Sequence, residues 1–184
     1  MAKRKISPPI SDPWLLQRDP SIIKFAFFVS HVAEDADDVA ELKSEINAYS
    51  GRPGRGTRPA LDCFLDIHNW PTAKRGAAVI CQKLLQSSFF VFWVTPAYLK
   101  NERGWVWMEL AYAELIEQSA NLRTMDHQPY IVPIFRKVAI QDVERTPLLA
   151  HWQENLGRPD IAVKEIAQRL VDFYDQETSQ RETP

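Results

Sequence analysis

A tryptophan and a glutamate four residues apart, Trp105 and Glu109, lie in the segment of this chain best suited to chemistry. The run from Gly104 to Glu117 has helical spacing, and at ~100° per residue Trp105, Met108, Tyr112, Leu115 and Ile116 share one broad apolar sector. Glu109 projects into that sector, whereas Glu114 and Glu117 fall on or near the polar side. A carboxylate facing an apolar surface is costly unless it is paired or used. A pairing with Arg103 would satisfy it without any function. Taken with Trp105, it offers a flat aromatic wall beside a carboxylate, which suits a planar, positively charged ring.

Three other clusters follow short apolar runs: Ser30-His31, Asp66-Ile67-His68-Asn69-Trp70 and Thr95-Pro96. Ser, His and Asp together invite a hydrolase triad, but no G-x-S-x-G elbow places the serine on a strained turn. A phosphorylatable response-regulator site is excluded too, because the third run ends in Thr95-Pro96 where that site needs an aspartate.

The elements that must position these residues are legible as apolar runs. Phe25 to Ser30, Leu61 to Asp66, Phe89 to Thr95 and Tyr130 to Phe135 are nearly continuous, as expected for parallel strands covered on both faces. Helical patterns fill the gaps: Val39, Leu42, Ile46 and Tyr49 behind the acidic Glu34-Asp35; Ala77, Ile80 and Leu84; and Trp105 to Gln118. A last helix runs through Val163, Ile166, Leu170 and Phe173, and a fifth strand is expected within Leu148 to Leu156. The alternation predicts an α/β fold, a doubly wound, short parallel sheet of four to five strands with helices on both faces. In such a sheet the three clusters converge at the carboxyl edge, where ligands bind. The loop Gly51 to Arg58 precedes the second strand, at the opposite edge, and reads as a solvated turn instead of a phosphate cradle.

Composition narrows the class. The 184 residues suit one domain, expected over 23–176 between an N-terminal arm, 1–22, and a C-terminal tail, 177–184. A formal charge of -2 and a pI of about 6.1 supply no positive field for nucleic acid or an anionic membrane, so neither is an expected partner. Basic Met1 to Lys5 leads into Pro8, Pro9 and Pro13 instead of the apolar core of a signal peptide. No apolar run approaches the ~20 residues that span a bilayer, so a soluble, cytoplasmic protein is expected. Cys63 and Cys81, the only cysteines, have neither C-x-x-C nor metal-ligand spacing and read as reduced thiols; no metal is expected.

Five segments in order, across Phe25 to Tyr174, resemble the TIR (Toll/interleukin-1 receptor-like) domain family. Phe25 to His31 with Glu34-Asp35 resembles its first box. Phe64-Leu65-Asp66 resembles its second strand, leading into the BB loop at Ile67 to Gly76. Ser88 to Leu99 resembles the third strand and the segment after it, Trp105-x-x-x-Glu109-Leu110 the tryptophan and glutamate of members that cleave NAD, and Ile131-Val132-Pro133-Ile134 the following strand. The resemblance implies a flavodoxin-like TIR fold. It also implies an NAD glycohydrolase or ADP-ribose cyclase of bacterial antiviral defence, with NAD as substrate and no cofactor. On that reading Glu109 is catalytic, Trp105 stacks on a ring of the dinucleotide, and Ser30, His31, Asp66, His68 and Trp70 line the substrate site. Trp70 beside Pro71, with Lys74 and Arg75 following, suits self-association through the 67–76 loop as well as cover for the pocket. The 184 residues hold no evident sensor, so a separate sensor or effector protein, or self-assembly, is expected. Two other readings stand beside this one: a non-catalytic TIR scaffold acting by homotypic assembly, and a nucleoside deoxyribosyltransferase-like enzyme.

Overall fold

A computed structural model of the chain describes residues 20–53, 60–65, 73–101, 104–124, 130–144 and 161–181. Strands β1 (Phe25–Ser30), β2 (Cys63–Leu65), β3 (Ser87–Val94) and β4 (Ile131–Phe135) form one parallel sheet in the order β2-β1-β3-β4. Around them run α1 (Ala36–Ser50), α2 (Ala73–Leu85), the short α3 (Pro96–Lys100), α4 (Trp105–Thr124), the short α5 (Ile140–Glu144) and α6 (Val163–Arg181). This is an α/β, doubly wound fold with a flavodoxin-like strand order. The chain steps outward from β1 to β2, then back across β1 to β3. Right-handed crossovers therefore put α1 on one face, where α6 joins it, and α2 and α4 on the other.

The continuous apolar runs resolve into two alternating faces, both covered. Phe89, Val91 and Trp93 of β3 pack with Val39, Leu42 and Ile46 of α1 and Val163, Ile166 and Leu170 of α6. Phe90, Phe92 and Val94 point the other way, onto Ile80 and Leu84 of α2 and Val106, Leu110 and Ala113 of α4. Phe28 of β1 and Phe90 stack with ring centroids 5.8 Å apart. Each such fully buried phenylalanine contributes ~1.5 to 3 kcal/mol relative to exposure.

The edge strand β2 begins two residues later than the apolar run predicts, and the start of that run is tied to α1. Leu61 donates its backbone N–H to the Ser50 hydroxyl at 2.8 Å, and Lys43 of α1 reaches the Cys63 carbonyl at 2.8 Å and Asp62 at 3.0 Å. Burial pushes the Cys63 thiol up to about 12, the Lys43 charge opposing, so it is inert near neutrality.

Three expectations change. The last four residues of the expected 67–76 loop, Ala73 to Gly76, begin α2, so the connection from β2 is shorter. The last helix, expected through Phe173, continues to Arg181, where Thr178 back-bonds to the Tyr174 carbonyl at 2.7 Å as a helical hydroxyl does. The helix expected to end at Gln118 runs to Thr124. The region expected to hold a fifth strand lies outside the described residues, as does the arm before residue 20. Among the described residues no helix is long and apolar enough to cross a membrane.

Candidate active site

Ligands of doubly wound sheets bind beyond the carboxyl ends of the strands, where the winding reverses. Here the reversal lies between β1 and β3, with Ser30 in register with Phe92. Ser30 ends β1 fully buried, and by alternation shares the α2/α4 side with Phe28. His31 follows, also buried, with Nδ1 3.2 Å from the Val29 carbonyl. A carbonyl only accepts, so Nδ1 carries the proton in that contact.

On the β3 side, Thr95 caps α3. Its Oγ1 accepts the Tyr98 backbone N–H at 3.2 Å, with Pro96 at the first helical position. The same hydroxyl donates to Asp35 Oδ2 at 2.7 Å, tying the chain after β1 to the chain after β3 across the switch point. The cap turns Tyr98 inward, where its hydroxyl donates to the Val106 carbonyl in the first turn of α4 at 3.3 Å. Trp107 braces the same junction, its ring edge-on to Tyr98 at 5.3 Å and its indole N–H donating to the Asn101 carbonyl.

Glu109 comes down from α4 into this region and is 0 % exposed. Tyr98 lies near both Glu109 and the end of β1. Burial pushes the Tyr98 phenol far above its ordinary value, the Glu109 carboxylate adds to the rise, and the Ser30 hydroxyl pulls the other way. Serine, tyrosine and glutamate from three elements thus meet under α4 at the carboxyl edge.

The face of α4 differs from the sequence reading. Val106, Glu109, Leu110, Ala113 and Ile116 form the inner face, while Trp105 is 36 % and Leu115 48 % exposed. Small and branched side chains allow the helix to lie close on the sheet, and the bulkier stripe of Trp105, Met108, Tyr112 and Leu115 moves to the flank. Glu109 is buried as expected, but Trp105 sits one turn away toward solvent and does not share a wall with it. Glu117 is likewise not a solvated residue of the polar side. Its Oε1 accepts the N–H groups of Tyr130 at 2.8 Å and Ile131 at 3.3 Å, holding the start of β4.

Asp66, His68 and Trp70 lie outside the described residues. Of the expected set, the structure brings Ser30, His31 and Glu109 to one edge and leaves Trp105 on its rim. Tyr98 and the Asp35–Thr95 clasp were not foreseen. A Thr-Pro pair before an aromatic one turn on was the available sign, since it caps a helix and fixes which way that aromatic points.

The clasp has a pH signature. Burial raises the Asp35 carboxyl above its ordinary value, the Thr95 hydrogen bond opposes this, and Asp38 and Glu34 add to the rise. A carboxyl raised in the folded state binds its proton more tightly there than in the unfolded chain, so its contribution is full below the unfolded value and is lost as pH rises through the folded one. Asp35→Asn keeps an acceptor for Thr95 and removes the charge. Its melting temperature should therefore gain on the parent's as pH climbs from about 3.8 through the mildly acidic range. A parallel pair of Tm-versus-pH curves would show that the Asp35 charge carries no such penalty.

The chain matches no protein-family model and no curated protein, so the functional reading stands on the meeting of Ser30, Tyr98 and Glu109 at the switch point.

Proposed function

We propose that this chain is a TIR-like enzyme that cleaves the nicotinamide–ribose bond of NAD, an NAD glycohydrolase or ADP-ribose cyclase of bacterial antiviral defence acting in the cytoplasm. The observation that carries the reading is Glu109, a carboxylate buried on the inner face of α4 near Tyr98, at the edge where such sheets hold their ligands. Two free thiols, Cys63 and Cys81, suit a reducing compartment.

The chemistry asks little of an acid. When the glycosidic C–N bond breaks, its electron pair returns to the ring nitrogen, and nicotinamide leaves as a neutral molecule. The ribose carbon is left oxocarbenium-like, and a fixed carboxylate stabilises it by charge and by accepting hydrogen bonds from ribose hydroxyls. Capture by water yields ADP-ribose and a proton; capture by a nucleophile of the same molecule yields a cyclic isomer. Ser30 and Tyr98 hold the floor of the site with His31 beside them, and the TIR resemblance assigns Asp66, His68 and Trp70 to its lining. Incubation with NAD followed by mass spectrometry should show nicotinamide together with ADP-ribose or its cyclic isomer. NAD left intact, with base exchange on free nucleosides instead, would transfer the assignment to a deoxyribosyltransferase-like enzyme.

Trp105 separates binding from packing. Its position on the rim predicts that Trp105→Ala raises KM for NAD while Trp105→Phe, which still stacks, recovers part of the loss. A core tryptophan would cost ~3 to 5 kcal/mol on truncation. A sharp fall in Tm with KM unchanged would therefore return Trp105 to a structural role.

A further inference from the structure

On the other face of the sheet, at the carboxyl ends of β3 and β4, lies a second polar cluster that the Glu109 chemistry does not use. Trp93 of β3 is fully buried within the core shared by α1 and α6. Arg136 directly follows β4, donates its backbone N–H to the Val94 carbonyl at 2.8 Å, and is only 7 % exposed. Its guanidinium carbon stands over the Trp93 ring, 5.3 Å from the centroid. Its Nη1 donates to the Ile161 carbonyl at 2.5 Å, two residues before α6 begins.

Those contacts leave donors unsatisfied. Arg136 Nε and Trp93 Nε1 are both buried without an acceptor, and among the described residues Arg136 makes no ion pair. A guanidinium withdrawn from water is costly unless charge and hydrogen bonds compensate it. Stacking on an indole and one bond to a neutral carbonyl supply part of that compensation. What the cluster lacks among the described residues is an acceptor carrying negative charge. The nearby start of the 19-residue α6 adds the positive end of a helix dipole.

We propose that Arg136 and Trp93 form an oxyanion-binding site, separate from the Glu109 site and built for a phosphate group. The guanidinium fork recognises oxyanions in pairs of N–H bonds. The guanidinium carbon lies over the indole ring, whereas the Trp93 N–H points along the ring plane, so the two residues offer donors from different directions. A tetrahedral phosphate can present oxygens to both, where a flat carboxylate serves one plane. Through Nη1 and Ile161 the bound group also steadies the start of α6, so occupancy stabilises the fold.

The test uses the full chain and inorganic phosphate, with chloride at matched ionic strength as the control. In ¹H–¹⁵N spectra one tryptophan indole signal and one arginine Nε signal should shift saturably with phosphate, and Tm should rise in step. Trp93→Phe keeps an aromatic under the guanidinium and identifies the indole signal. Arg136→Lys keeps the charge but loses the fork. Each should weaken phosphate binding about tenfold or more. Adenosine monophosphate forms a second arm: tighter binding than inorganic phosphate at the same signals assigns the site to a nucleotide phosphate, and weaker binding to the free anion. Signals that respond to phosphate no more than to chloride overturn the proposal, as does undiminished binding by Arg136→Lys. The titration of the parent protein decides the matter even where a variant fails to fold.

Discussion

Glu109→Gln should fold like the parent and release nicotinamide from NAD about 100-fold more slowly or worse. The substitution keeps the volume and the hydrogen-bonding reach of the side chain and removes only the charge, so it isolates what a carboxylate contributes as positive charge develops on the ribose. The fold should tolerate it well. Glu109 sits on the inner face of α4 among Val106, Leu110 and Ala113, where an ionised group carries a desolvation cost that a neutral amide largely escapes. Its charge is also part of what pushes the neighbouring Tyr98 phenol upward. Tm at or above the parent's, with turnover nearly gone, is the pattern of a residue retained for chemistry at some expense to stability. Loss of turnover that merely tracks loss of folded protein would make Glu109 structural, and full turnover in the variant would end the NAD assignment. Single-turnover measurements at saturating NAD separate the chemical step from binding, and the deficit should sit in that step.

The parts of this architecture that could be read in the sequence were those governed by local pattern. β1 begins and ends where its apolar run does, because Phe25 to Ser30 pairs along β3 while Phe27 to Val29 pairs with β2 as well. The start of the edge strand β2 was placed too early: Leu61 turns its N–H to Ser50 and the Asp62 side chain pairs with Lys43, although the Asp62 carbonyl still accepts the Ala26 N–H, and no window of sequence reveals this. The α4 face was rotated for a related reason. Two apolar stripes run along that helix, and only the closeness of the sheet selects the one of smaller residues. Glu109 falls on the buried side under either choice, so it was found while Trp105 was misplaced. Tyr98 was out of reach because its role depends on an inward turn set by the Thr95 cap and on a carbonyl of another helix. Arg136 reads in sequence as an ordinary basic residue after a strand; its burial over Trp93 is a product of packing on the α6 face.

Specific activity should climb steeply with protein concentration or crowding, and Trp70→Ala should flatten the climb. An enzyme that consumes NAD without restraint would exhaust its own cell, so its activity calls for a gate, and assembly is the gate proposed here. The segment joining β2 to α2 is its proposed location. It leaves β2 beside the carboxyl end of β1, the strand that delivers Ser30 and His31 to the site, so a partner seated on it acts close to the chemistry. The sequence puts Trp70 next to Pro71 in that segment, and tryptophan is among the residues that dominate interface energetics. Lys74 and Arg75 follow Trp70 in the sequence, and an acidic partner surface would suit their charge. The first turn of α1 carries Asp37 and Asp38, and a second copy of the chain could offer it. Charge pairing of this kind is screened by salt, so the concentration at which activity rises should move upward as ionic strength increases. The competing role for Trp70, as cover over its own substrate site, predicts a different outcome. Specific activity would then be constant across a wide dilution series, salt would leave it so, and Trp70→Ala would impair every concentration equally through KM.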